Sequence, residues 1–348
     1  MSQPGIPFEP SRTIPDTMLA ATTERFGRPE DVVRMRRITT PAPEPGEILI
    51  DVAAASVNAA DWHWATGLPM FSRIALGFRR PKRSIAGTDV AGTVVALGAG
   101  VTTWSLGDRV CGQLEAGGSF AEYALAPADR VVAVPDGVDL ETAATLGIAA
   151  ETALQGLRDW GGLTEGQSVL INGASGGVGT FAVQLARALG AGRIVAVGST
   201  ANIETAAGLG ADEVIDYTTT DPTGVLTETF DIVFDNVGVW PLRECRRLVG
   251  DNGVYVMTTA PKSPWLHPLP RMLATPLYFG ATRGKAVAGR TAAYSPEDLR
   301  TLLGLAAAGR ITPVIERRFP LAEAAEALRL QGEFHARGKS LIIPDPAG

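Results

Sequence analysis

The sequence predicts an α/β protein built in two parts, a doubly wound parallel sheet and a partly closed β-barrel. Three observations predict it. Val169–Asn172 reads as a short buried strand, followed by a small-residue turn, Gly173-Ala-Ser-Gly-Gly-Val-Gly179. A helix follows, on which Val178, Ala182, Leu185 and Leu189 recur at helical spacing before Gly190 stops it. From about residue 140 strands and helical stretches alternate, as in a parallel sheet with right-handed crossovers. Before that point, residues 18–145 read as all-β, with short strands between glycine and proline turns. At 348 residues, two domains are expected.

The turn has the spacing Ala174-x-Gly176-x-x-Gly179, a dinucleotide fingerprint with Ala for its first Gly. A turn without bulky side chains lets the backbone approach a pyrophosphate, and the helix N-terminus offers it N–H groups and partial positive charge. Phosphates are therefore expected on Ala174, Ser175, Gly176, Gly177 and Val178, with Gly173 and Gly179 shaping the turn. The competing reading is a tight strand-to-helix turn with no ligand. The strand before and the helix after favour the nucleotide.

Taken in order, residues 1–17 carry Pro4, Pro7, Pro10 and Pro15 without an apolar run, so a disordered extension is expected, not a signal peptide. Strands are expected at Met18–Thr23 and Val32–Met35, at Ile48, Ile50 and Val52 where apolar residues alternate, and at Ser84–Leu97, Gly107–Val110 and Gly117–Leu125. Leu140–Trp160 is helical in pattern. After the fingerprint come strands at Ile194–Gly198, Glu213–Tyr217, Phe230–Asp235 and Val254–Met257, with helices near 202–209 and at Leu242–Val249. Residues 260–290 hold five prolines, Pro261, Pro264, Pro268, Pro270 and Pro276, and read as irregular: a lid, a partner surface or a plain loop. A polar-faced helix at 296–310 precedes a strand, helix and strand from Glu316 to Ile343 that return to the β part.

Composition narrows the function. A net charge of −6 argues against general affinity for nucleic acid or anionic membrane. Cys111 and Cys245 are the only cysteines, too few for a disulfide framework or a four-cysteine zinc lobe, and a cytoplasmic setting is expected. No apolar run approaches the length of a membrane-spanning helix.

Several motifs occur in one order: Val57-Asn-Ala-Ala-Asp61, Gly87-Thr-Asp-Val-Ala-Gly-Thr-Val-Val95, Gly107-Asp-Arg-Val110, Gly118-Ser-Phe-Ala-Glu-Tyr123, the fingerprint, Leu209-Gly-Ala-Asp-Glu-Val-Ile-Asp-Tyr217, Asp235-Asn-Val-Gly238 and His335-Ala-Arg-Gly-Lys339. By these the chain resembles the medium-chain dehydrogenase/reductase superfamily, and within it the zinc-independent quinone oxidoreductase branch. The resemblance implies a GroES-like barrel, residues 18–145 and 311–348, interrupted by a Rossmann domain, 146–310, with the active site between them. It also implies a possible homodimer. Zinc-dependent relatives use Cys, a Gly-His-Glu motif and a later Cys or Asp. Here Asn58 stands for the Cys and Gly87-Thr88-Asp89 for Gly-His-Glu, so no metal is expected. What remains is hydride transfer from a nicotinamide to an electron-poor acceptor, a quinone or an α,β-unsaturated carbonyl.

The cofactor is expected to be NADPH in preference to NADH. The strand after the fingerprint ends Gly198-Ser-Thr-Ala-Asn202 without the acid that bonds an NAD ribose. Ser199 and Thr200 could instead bond a 2′-phosphate, or act as a helix N-cap pair. The resemblance adds Tyr217 to that grip. It also implies a basic residue, but Ala201 stands there and no Lys or Arg occurs from 194 to 242; the resemblance places the tail near the cofactor cleft, which makes Lys339 the expected source of charge. Thr152 matches a family Thr at the nicotinamide end. Asn236, Val237 and Gly238, with Thr258 and Thr259, follow strands at the cleft edge where open α/β sheets bind ligands. For catalysis, Asn58 is expected to donate to the acceptor's carbonyl oxygen and His63 to supply a proton or hydrogen bond. Asp61, Trp62 and Trp64 are expected to face the substrate, the indoles as an apolar wall, with core packing and a turn cap as the alternatives. Two other readings stay open: an enoyl-thioester reductase using the basic run Arg79, Arg80, Lys82 and Arg83, and a non-catalytic NADP(H)-binding interaction protein.

Overall fold

The computed structural model describes residues 13–82, 84–258, 268–281, 285–288, 290–333 and 336–344. An antiparallel ribbon, β1 (Thr17–Thr23) and β2 (Val33–Thr39), opens it. The barrel strands follow: β3 (Glu47–Val57), β4 (Asp89–Leu97), β5 (Arg109–Gln113), β6 (Tyr123–Pro127) and β7 (Val131–Ala133). β3 is the hub, antiparallel to both β4 and β6, with two register shifts against β4 that bend the sheet. Its alternation suggests one buried face. Both are covered: Ile48 and Ile50 pack into the barrel, while Leu49 packs with Met18 and Ala20 of β1.

The second sheet comprises β8 (Ser168–Asn172), β9 (Arg193–Gly198), β10 (Glu213–Asp216), β11 (Phe230–Asp235), β12 (Val249–Met257) and β13 (Lys285–Ala288). They lie parallel in the order β10-β9-β8-β11-β12-β13. The uninterrupted apolar run of β8 suits burial on both sides: Val169 and Ile171 pack with the fingerprint helix, Leu170 with Val233 and Tyr255. Strand order reverses between β8 and β11, so a crevice opens at their carboxyl ends. Finally β14 (Ile315–Pro320) and β15 (Lys339–Ile343) return, β15 pairing antiparallel with β3 of the barrel.

The structure departs from the sequence reading in four places. The stretch 18–145 is not all-β: Ala59–Thr66 is a helix, with short helical turns at Pro29–Val32 and Met70–Leu76. A capping box between Asn58 and Asp61 starts that helix, and Gly67 at φ 63° ends it. Residues 260–290 are not irregular throughout, since Pro268–Ala281 is a helix and β13 is the sheet's sixth strand. Pro268 and Pro270 sit in the first turn, where no N–H is needed, and buried Phe279 stacks on Tyr255. Of the expected extension 1–17, residues 13–17 belong to the fold. Ile14 already packs beside Met18, and the Asp16 carbonyl accepts from Thr40 N at 3.0 Å. Residues 1–12 lie outside the described residues.

Lastly, Leu140–Trp160 is a broken helix. It bends at Gly147 (φ −64°, ψ −119°) between the turns Leu140–Thr145 and Glu151–Gln155. The carboxylate of Asp89 fills the break and accepts from Ile148 N at 3.2 Å. A Cβ on residue 147 would stand 2.3 Å from Asp89 Oδ1, so only glycine fits.

Candidate active site

The phosphate loop has the form its spacing implies. Gly173 takes φ 80°, and a Cβ there would press to 2.8 Å from Val237. Gly179 lies so close to the strand end that a Cβ would meet Gly173 O at 2.1 Å. At Gly176 a Cβ would meet only Gly173 O, at 3.8 Å, so that side of the turn has room where a pyrophosphate would lie. Gly176 also caps the helix Gly177–Ala188, whose first N–H groups lack intrahelical acceptors. Ala174 turns its methyl into the core, which is why Ala is tolerated in the first fingerprint position. Val178 packs partly on that same core.

The tail closes over this loop. Gly338 N donates to Ser175 O at 2.9 Å, and Lys339 runs its stem past Gly177. Lys339 is therefore not beside a 2′-phosphate. Its Nζ donates to Val57 O at 3.1 Å and to Asn58 Oδ1 at 2.6 Å, almost wholly buried. Asn58 in turn donates from Nδ2 to Asp89 Oδ2 at 2.8 Å and to Ser56 O at 3.2 Å. Asp89 Oδ2 also accepts from Ser56 Oγ at 2.9 Å. A buried anion and cation are thus joined through one amide. Burial pushes Asp89 up and Lys339 down, while their mutual attraction opposes both shifts.

This network corrects several expected roles. Both amide hydrogens of Asn58 are spent, so it holds Lys339 and Asp89 in place and is not an unengaged donor to the acceptor's oxygen. Asp61 accepts from Asn58 N and from Thr88 Oγ1, each at 2.9 Å, and is buried as a helix cap, not a substrate contact. Trp62 packs its indole against Gly332 of the helix Ala324–Glu333, where a Cβ would stand 2.3 Å from Nε1. Trp64, on the helix Ala59–Thr66, is half-buried. His63 Nδ1 donates to Leu68 O at 2.5 Å, which fixes the orientation of the ring. Asn58, Thr88 and Asp89, at the positions zinc ligands occupy in relatives, are engaged with protein partners, and this donor set does not fit zinc.

At the crevice, Thr258 Oγ1 donates to Asn236 Oδ1 at 2.6 Å and fixes the amide, whose buried Nδ2 has no partner among the described residues. That orphan donor fits a bound nucleotide. The N–H groups of Val237 and Gly238 instead donate to Asp235 Oδ1 at 2.9 and 2.8 Å, so those two residues shape the rim. Thr152 bonds Ile148 O at 2.6 Å, one turn beyond the helix break. Thr259 and His335 lie outside the described residues.

At the far end, Ser199 Oγ accepts from Asn202 Nδ2 at 2.9 Å and Tyr217 is 55% exposed beyond β10. Thr200 Oγ1 donates to Asp216 Oδ2 at 2.5 Å. Asp216 was not anticipated. It lies 16 positions from Thr200 and joins it because β10 pairs with β9. Its hydrogen bonds from Thr200 and Thr218 hold it below the usual carboxylate range. Thr200 is thus engaged with an anion.

Two segments match family models: residues 44–136 an alcohol dehydrogenase GroES-like domain, and residues 209–342 a zinc-binding dehydrogenase. The chain is 30% identical to the chloroplast envelope quinone oxidoreductase homolog of Arabidopsis thaliana, over 88% of this chain and 93% of that one. The chain belongs to the medium-chain dehydrogenase/reductase superfamily, in its quinone oxidoreductase-like branch. It is also 32% identical to the mitochondrial NAD(P)H oxidoreductase RTN4IP1 of Mus musculus, over 97% and 93% of the two chains. Among solved structures it superposes on the quinone oxidoreductase of Coxiella burnetii with a TM-score of 0.82 at 27% identity, covering 94% of this chain and 99% of the other. It is an oxidoreductase that uses a nicotinamide cofactor.

One buried acid went unread in the sequence. Glu151 accepts from Gln113 Nε2 at 2.7 Å and Ser295 N at 3.3 Å, and burial pushes its carboxyl up to about 8. A raised folded value means that the folded state holds a proton the unfolded chain releases between about 4.5 and 8. This carboxyl therefore lowers stability progressively as pH rises through that window. Glu151→Gln is expected to gain on the native protein between pH 5 and 8, by roughly 3 kcal/mol in denaturant titrations. A difference independent of pH would contradict the burial.

Proposed function

We propose that this protein reduces a quinone or α,β-unsaturated carbonyl with NADPH, without a metal ion. The observation that carries the reading is the phosphate loop beside Asn236 Nδ2, a buried donor without a partner among the described residues, in a chain whose zinc positions hold Asn58, Thr88 and Asp89. The bound nicotinamide supplies the hydride. The loop Gly173–Gly179 holds the pyrophosphate, and Asn236 and Thr152 orient the nicotinamide half. The acceptor's oxygen gains negative charge as it is reduced. The Lys339 cation, with Asn58 holding it, stabilises that charge. Ser199 and Tyr217 take the 2′-phosphate side. No basic residue supports them between 194 and 242, and Asp216 opposes a phosphate there. The preference for NADPH over NADH is therefore small, below about tenfold, or about 1.4 kcal/mol. The two buried cysteines support a cytoplasmic setting.

Oxidation of NADPH and NADH, each with a small ortho-quinone and an α,β-unsaturated ketone in the presence of a chelator, tests this reading. Turnover resistant to the chelator is expected, and Asn236→Ala should raise the KM for NADPH roughly 5- to 30-fold, a lost hydrogen bond of about 1–2 kcal/mol. Loss of turnover on chelation, or NADPH binding without turnover of any acceptor, would overturn it.

A homodimer through the β13 edge is the assembly we favour. β13 ends the parallel sheet, and the neighbouring helix Pro268–Ala281 exposes Leu273 and Leu277. Light scattering should report a dimer that Leu273→Glu with Leu277→Glu converts to monomer. A native monomer would rule it out.

A further inference from the structure

Net charge hides a local reversal. From Trp62 to Thr88 the chain has no Asp or Glu, yet it carries Arg73, Arg79, Arg80, Lys82 and Arg83. Within this stretch Ile74 is 83% exposed and Phe78 80%, and Met70 is also exposed. Arg79, Arg80 and Lys82 are exposed on the same tight turn. Apolar side chains this bare are costly in water, and their grouping with cations is a surface in want of a partner.

The turn is built, not slack. Lys82 N donates to Leu76 O at 2.9 Å, and Gly77 takes φ 124° so close to Arg80 O that a Cβ would stand 2.1 Å away. Arg73 anchors the base, with Nε on Gly67 O at 3.0 Å and its guanidinium over the Phe26 ring at 4.7 Å. The fold thus holds Phe78, Arg79 and Arg80 outward at its tip.

We propose that the arm 70–82 docks this protein onto the surface of an anionic lipid bilayer. Ile74 and Phe78 enter the headgroup–acyl boundary while the three cations meet lipid phosphates. Each cation strengthens binding to an anionic surface about fivefold at modest salt, so three supply on the order of a hundredfold. A soluble phosphorylated carrier would draw on the cations but has no use for bare Ile74 and Phe78, so the bilayer is the better match. The arm continues directly from the helix that Asn58 caps, so docking sets the acceptor side of the site beside the membrane. The docking does not depend on which acceptor is reduced.

Sedimentation of the full chain with phosphatidylglycerol–phosphatidylcholine vesicles, and with pure phosphatidylcholine vesicles, tests the proposal. Binding to the anionic vesicles alone, abolished by high salt, is expected. Arg79→Ala with Arg80→Ala and Lys82→Ala should weaken it on the order of a hundredfold. Ile74→Ser with Phe78→Ser should weaken it at least about tenfold. Both variants alter exposed side chains, so melting temperature and turnover of a water-soluble quinone should hold. Failure of the native protein to bind anionic vesicles, or native-like binding by either variant, would overturn the proposal. So would a charge variant that keeps vesicle binding yet loses turnover of an enoyl-coenzyme A, which would reassign the cations to a thioester carrier.

Discussion

The structure depends on one buried contact, the Lys339–Asn58–Asp89 relay. Its three members are Lys339 at the start of β15, Asn58 just after β3, where it caps the helix Ala59–Thr66, and Asp89 at the start of β4. Charges this deep are tolerated only when paired and hydrogen-bonded, and here each polar atom has a defined partner. Asp89 reaches further, into the helix break at Gly147, where it takes the N–H that the break releases. Removing either charge would leave the other stranded, and the broken helix would lose the group that fills its gap.

The relay also joins the two parts of the molecule. Lys339 lies one residue after Gly338, which bonds the phosphate loop, and its stem covers Gly177 at the start of the fingerprint helix. The barrel, the tail and the nucleotide loop therefore meet through one side chain. A cation held there faces the problem of hydride transfer: charge appears on the acceptor's oxygen, and a preorganised positive group lowers its cost without reorganising. On the proposed reaction, the same side chain that fixes the architecture also stabilises the charge on the acceptor.

What the sequence made legible was local. The phosphate loop could be read because its strand, turn and helix are contiguous, and the loop's glycines meet the close approaches that their spacing implies. The two-part fold was legible from periodicity and turn residues. What stayed hidden depends on distant partners. Lys339 and Asn58 are 281 positions apart, so nothing near either one signals that the lysine points away from the 2′-phosphate or that the amide is already used. Asp216 reaches Thr200 only through strand pairing. The proline-rich segment misled because prolines in a first helical turn resemble prolines in a loop, and the deciding contact, Phe279 on Tyr255, lies outside the local pattern.

The measurement that most directly tests this account is a double-mutant cycle on the relay, Lys339→Met and Asp89→Asn, read by denaturant unfolding. Each single substitution should cost about 3–5 kcal/mol by stranding a buried charge, and the double variant should cost no more than the worse single one. Additive losses would show that the two charges do not sense each other, and would contradict the claim that this pair holds barrel, tail and nucleotide loop together.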